Sequence, residues 1–391
     1  MYYSIKTMQQ KLNSTHLKSL CDFRHQLHSL PELSGNEKQT AMLITERLSK
    51  LRNINRITNV GGYGILAIAD SGKKGKTVVF RADMDALPIK EINGFEYKSQ
   101  HEYISHTCGH DGHLTVLCGL AELLNKELPK SGKVILLFQP SEEDGKGASN
   151  VLNDAEFKNI EPDYVFAFHN LPGFPLKQVV IRDNVFSASV LSMIFKLQGK
   201  TSHAAEPENG INPSFAIAEI IFTIKELTNN DTDSEALFMA TPVYSRIGEI
   251  AYGTSAAYGE IHYTFRAWEN KLLEYHISNI KNEIATIAQK HQLILSTEVV
   301  DQFHSTSNHP SANQVLKQSC ISNNIEYTEI EKPFRWGEDF GLFTQKFKGA
   351  LFGIGAGENC PALHNADYDF PDEIIACGIT IFQSISQLIN K

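Results

Sequence analysis

His106-Thr107-Cys108-Gly109-His110-Asp111-Gly112-His113 packs three histidines, a cysteine and an aspartate into eight residues, with two glycines between them. Directly after it, Leu114, Leu117, Leu120, Ala121 and Leu124 recur at helical spacing, so the cluster stands at the entrance to a helix. There the free backbone N–H groups and the helix dipole are expected to favour a thiolate at Cys108. A thiolate and an imidazole two residues apart can grip one metal ion if further ligands converge from elsewhere. A glycine-rich turn with solvated histidines is the plainer reading, but such turns rarely carry so many soft ligands.

On both sides of this stretch, strands alternate with helices. Residues 1–55 read mostly as helix, broken at Pro31-Glu32-Leu33-Ser34-Gly35. Strands are expected at 64–70 and 77–82, the second leading into Asp83 and Asp85. The apolar run 133–138 reads as a buried strand ending in Gln139-Pro140-Ser141-Glu142-Glu143-Asp144. A strand at 163–168 ends in His169-Asn170, one at 350–354 leads to a loop carrying His364, and a helix closes the chain. The alternation predicts an α/β fold with a mainly parallel sheet, and such sheets bind ligands outside the carboxyl ends of their strands. Asp83, Asp85, Glu142, Glu143 and His169 are all expected just past such an end, with His364 in the loop beyond another.

Between 187 and 303 the pattern changes. Strands at 190–197, 237–250, 258–266 and 293–300, with helices at 212–227 and 272–291, give a β-α-β-β-α-β order. This is a smaller α+β layer, a lid or dimerisation domain at 187–303, inserted between two parts of a catalytic domain at 1–186 and 304–391.

Composition narrows the function. A chain of 391 residues exceeds what one core usually organises, which agrees with two domains. A net charge of −9 with no basic block argues against nucleic acid. No run approaches membrane-spanning length, and no apolar stretch near the start resembles a signal peptide. Six cysteines without paired spacing fit a reducing compartment, so the expected location is cytoplasmic, away from membranes.

Five groups are plausible metal ligands: Cys108, His110, one of Glu142 and Glu143, His169 and His364. Four-coordinate geometry around one ion needs four, so five with a shared water or thiolate suit two adjacent ions. The two glutamates are neighbours whose side chains need not point the same way. One can bind metal while the other stands free as the general base.

Several segments in this order resemble one family. They are Arg81-Ala82-Asp83-Met84-Asp85-Ala86-Leu87-Pro88, the 106–113 cluster, Gln139-Pro140-Ser141-Glu142-Glu143, Phe168-His169, Gly199-Lys200-Thr201-Ser202-His203-Ala204-Ala205, Gly337-Glu338-Asp339-Phe340 and Leu363-His364. The chain resembles, over nearly its whole length, the two-metal amidohydrolases that include hippurate hydrolase, N-acyl-amino-acid deacylases and plant auxin-conjugate hydrolases, relatives of aminoacylase and of the zinc carboxypeptidases. The resemblance implies Cys108, His110, Glu143, His169 and His364 as metal ligands and Glu142 as general base. It makes Asp83 and Asp85 supporting carboxylates behind the ligands. It also implies His203 as oxyanion donor, acting across a homodimer in some members, and Asn212 and Arg266 as weaker candidates for the substrate carboxylate. Two divalent ions follow, zinc first because of the sulfur, with manganese as the alternative. The implied reaction is cleavage of a small N-acyl-amino acid to a carboxylic acid and a free amino acid, with a dipeptidase on the same metals as the second reading. Thr201-Ser202 and Glu206-Pro207-Glu208 depart from the family pattern beside His203, and no glycine follows Glu142-Glu143. The two changes beside His203 bear on substrate preference. His25, His28, His101, His113 and His304 are left as structural or as supports behind the ligands.

Overall fold

The computed structural model describes residues 12–391, and these form two units. The first comprises the chain up to Phe186 with Thr306–Glu331 and Asp339–Lys391; the second comprises Ser187–Ser305 and Lys332–Glu338.

The first unit is built on an eight-stranded sheet. Its order is Asn55–Val60, Gly64–Asp70, Lys133–Gln139, Thr77–Asp83, Tyr164–Pro172, Lys348–Gly357, Val179–Ile181, Tyr327–Glu329. The four central strands run parallel, so their carboxyl ends share one edge of the sheet. Antiparallel pairing is confined to the flanks. Both faces are covered, which is why the central strands read as unbroken apolar runs rather than alternating ones. Asn55–Val60 escapes sequence detection because it is a polar edge strand, with Val60 its one buried residue. His169 also sits differently from expectation. The strand runs on through it to Pro172, because its pairing with Lys348–Gly357 continues past His169.

The helix His110–Lys126 packs between Ser14–Ser29 and the closing helix Ile375–Ile389. Gly119 permits that approach, since a Cβ there would lie 2.4 Å from Ile379 Cδ1 and 3.1 Å from Leu20 Cδ1. Arg24, fully buried, binds three aspartates from distant segments: Asp111 at 3.0 Å, Asp369 at 2.7 Å and Asp372 at 2.6 Å. His28, one turn on, bridges Asp111 at 2.9 Å and Glu91 at 3.2 Å.

The second unit has a four-stranded antiparallel sheet, ordered Phe238–Ile247, Tyr258–Ala267, Ser189–Gln198, Ile294–Phe303. Burial alternates strictly along Tyr258–Ala267, and the buried set meets Ile217, Ile220 and Ile224 of one helix and Ile277, Ile280 and Ile284 of another. Residues 332–338, which the sequence reading leaves with the catalytic part, group with this unit instead. Hydrogen bonds to their backbone account for it: Ala188 N–H donates to the Phe334 carbonyl at 2.9 Å, and the Arg266 side chain donates through Nη1 to the Arg335 carbonyl at 2.7 Å. Among the described residues, no helix is long and apolar enough to cross a membrane.

Candidate metal centre

Gly109 precedes the helix His110–Lys126 at φ +91, and a Cβ there would lie 2.8 Å from the Asn170 carboxamide. Left-handed backbone and close approach together require glycine at this turn. Asn170 Nδ2 in return donates to the Cys108 carbonyl at 3.0 Å, fixing the backbone that carries the thiol.

Two of the candidate imidazoles have their tautomers set by carbonyl acceptors. His110 Nδ1 donates to the Asp85 carbonyl at 2.9 Å and His169 Nδ1 to that of Asn170 at 2.9 Å. Each ring therefore turns its Nε2 inward. His169 Nε2 stands 3.5 Å from Cys108 Sγ. His110 Nε2 is buried without a hydrogen-bond partner among the described residues, 3.8 Å from Glu143 Oε1, which is also buried without one. That oxygen lies 3.8 Å from Nε2 of His364, an exposed residue whose N–H donates to the Thr107 carbonyl at 2.9 Å. The donor atoms of Cys108, His110 and His169 all lie within 4.8 Å of one another. The same holds for Cys108, Glu143 and His364, and for His110, Glu142 and Glu143. Glu142 is buried, and its Oε1 accepts the Asp339 N–H at 3.3 Å.

Asp85 meets His110 chiefly through its carbonyl, while its carboxylate accepts the Ser34 hydroxyl at 2.6 Å and the Glu143 N–H at 2.9 Å. Asp83 is held by Arg81 at 2.7 Å and meets His113 Nδ1 at 2.6 Å. His113 is thus part of the assembly, bound at its other ring nitrogen by Asn170 and packed edge-on 4.9 Å from the His169 ring. Its position three residues after His110, on the same helix face, was the available signal.

Electrostatics favour a cation here. Burial resists protonation of His110, but Asp83, Asp85 and Glu143 outweigh it and lift its pKa to about 10. His169 is pushed down to about 3 by burial and by His113, which leaves a neutral imidazole. The expectation of a thiolate stabilised by the helix entrance is corrected. Burial, reinforced by Glu143, Glu142 and Asp83, pushes the Cys108 thiol well above its ordinary value and outweighs the helix terminus. A cation bonded to sulfur would reverse that balance. A soft sulfur, imidazole nitrogens, a carboxylate and two orphaned buried donor atoms together fit a thiophilic divalent metal.

The remaining candidates lie in the second unit. His203 is exposed, and its Nδ1 accepts the Ala205 N–H at 3.1 Å. Asn212 spends its carboxamide on Ser214 at 2.9 Å and Ser255 at 3.0 Å. Arg266 is half-buried and held below its ordinary pKa by burial and by Arg335.

Known proteins resemble this chain along most of its length. The family model described as peptidase family M20/M25/M40 matches residues 79–387. The hippurate hydrolase of Campylobacter jejuni is 30% identical over 377 residues, covering 93% of this chain and 94% of that protein. The N-acetyldiaminopimelate deacetylase of Lactobacillus helveticus is 27% identical over 381 residues, covering 95% and 97%. A solved Bacillus subtilis structure, described as a dinuclear metal binding peptidase, shares the fold with a TM-score of 0.82 at 22% identity, covering 96% and 99%. With most of its length matched by the family model and relatives aligned almost end to end, this chain belongs to peptidase family M20/M25/M40.

Proposed function

We propose that the chain is a metal-dependent amidohydrolase that cleaves N-acyl-amino acids to a carboxylic acid and a free amino acid. Its family and its relatives, a hippurate hydrolase and an N-acetyldiaminopimelate deacetylase, make it an amide-bond hydrolase. The observation that carries the finer reading is the convergence of Cys108, His110, Glu143, His169 and His364 at one place, with Glu142 beside them. In this reading those five residues would hold two divalent ions, zinc first. Bound there, the ions would acidify water and polarise the scissile carbonyl. Glu142 takes the proton from the attacking water and delivers it to the leaving amine.

His203 is assigned the oxyanion. Because its Nδ1 accepts a backbone N–H, its neutral ring carries the proton on Nε2, the form a hydrogen-bond donor needs. Arg266 and Asn212 are assigned the substrate carboxylate. The proximity of Arg335 supports this for Arg266, since an anion beside the two guanidiniums would relieve their repulsion. A homodimer through the second unit is supported by Phe215 and Phe222, exposed on one helix at heptad spacing. All six cysteines are free thiols, which supports a reducing, cytoplasmic location.

Amino-acid release from N-acetyl-, N-benzoyl- and dipeptide substrates, with zinc, manganese or cobalt supplied, tests the reading. Glu142→Gln is expected to keep its metal while losing ~10²–10⁴-fold in rate. Preference for dipeptides would replace the substrate assignment, and near-native turnover by Glu142→Gln would remove the base.

A further inference from the structure

Ser141, the residue before Glu142, has φ +58, a left-handed backbone that serine seldom adopts. Its N–H donates at 2.8 Å to Oε1 of Glu37, a residue 104 positions away with no exposed surface. The same oxygen accepts the Gly35 N–H at 3.0 Å. On the far side of Glu142, the Glu143 N–H donates to Asp85 Oδ2, and Asp85 is braced by the Ser34 hydroxyl. The two backbone N–H groups that flank Glu142 are therefore each captured by a carboxylate. Both carboxylates are steadied by the 34–37 segment. The Ser141 carbonyl completes the restraint by accepting the Gly147 N–H at 2.8 Å.

Packing alone does not require a polar group at Glu37. Its Oε2 is buried without a hydrogen-bond partner among the described residues. An aliphatic side chain would fill that place without desolvating a carboxyl group, so the carboxyl answers to the two N–H groups that its Oε1 accepts. Two adjacent glutamates with different tasks need the peptide between them held in one orientation, and a left-handed residue just before them fixes it.

We propose that Glu37 is a positioning residue: its carboxylate holds Ser141 in the left-handed conformation and so aims Glu142 at the reacting water while Glu143 faces the metals. This rests on the roles given above to Glu142 and Glu143. Misplacing a reacting group by about 1 Å costs on the order of a hundredfold. Glu37→Ala is accordingly expected to lower kcat about a hundredfold, measured on whichever N-acetyl- or N-benzoyl-amino acid the wild type cleaves fastest. KM and the metal content by elemental analysis should stay near wild type.

Rescue separates aim from general support. Glycine takes a positive φ freely, so Ser141→Gly placed in the Glu37→Ala background should restore at least about tenfold of the lost kcat. Glu37→Gln, whose amide oxygen still accepts both N–H groups, should keep kcat within about tenfold of wild type. If Glu37→Ala does not fold, Glu37→Asp, with a carboxylate one methylene shorter, takes its place in the same comparison. Wild-type kcat in the Glu37 variant, loss of metal along with rate, or no gain from Ser141→Gly would each overturn the assignment. A fully active Glu142→Gln would instead overturn the reading beneath it. An inactive Glu142→Gln beside an unimpaired Glu37→Ala would sink this inference alone.

Discussion

Replacing His28 by glutamine should change how the protein's stability depends on pH. His28 has no exposed surface, and its two ring nitrogens meet the carboxylates of Asp111 and Glu91. Burial opposes its charge, but Asp111 and Glu91 outweigh burial and raise its pKa from 6.5 to about 9. At about 1.4 kcal/mol per tenfold change in proton affinity, this protonation is worth roughly 3 kcal/mol of folding free energy. The folded value lies above the unfolded one. The contribution is therefore complete below about pH 6.5 and disappears as pH rises through about 9, because the unfolded chain gives up its proton first. Urea unfolding of wild type and His28→Gln between about pH 6 and pH 10 reads the difference directly. Metal kept at one concentration affects both proteins alike. Both tryptophans, Trp268 and Trp336, belong to the second unit, so helix ellipticity is the signal to follow. The stability gap between the two proteins should narrow by roughly 3 kcal/mol across that range. A gap that stays constant, or widens with pH, would refute a protonated His28.

Two further substitutions probe the site. Cys108→Ala should lose bound metal together with activity, since it removes the donor common to two of the ligand groups; two ions per chain and full rate by elemental analysis and assay would show that sulfur is no ligand. His203→Ala should lower kcat ~10²–10³-fold while leaving metal content unchanged. Activity regained on mixing it with inactive Glu142→Gln would locate its action across a dimer, whereas unchanged kinetics in His203→Ala alone would exclude it from the reaction.

The sequence carries the site more fully than it carries the site's support. Cys108 and His110 are visible because their chemistry is packed into eight residues. The strand 133–138 is visible because burial on both faces leaves an uninterrupted apolar run. Asn55–Val60 is not, because an edge strand facing solvent has no apolar pattern to show. Glu37 and Asn170 are hidden for another reason. Their importance lies in hydrogen bonds to residues 104 and 62 positions away, and no local periodicity encodes such partners. The Cys108 thiol illustrates the same limit, for its position at a helix start is legible while the carboxylates that surround it come from other strands and loops.

Arg24 bears on how the chain is made. Its partners Asp369 and Asp372 lie 345 and 348 residues downstream, in the same closing stretch as His364. A growing polypeptide therefore cannot complete either the buried charge cluster or the donor set until residues 364–372 have left the ribosome. Until then Arg24 has only Asp111 of its three aspartates, which favours keeping the early helices open rather than prematurely packed. Truncations that remove only the last thirty or so residues should consequently behave as unfinished chains, insoluble and without bound metal, rather than as shortened but folded ones.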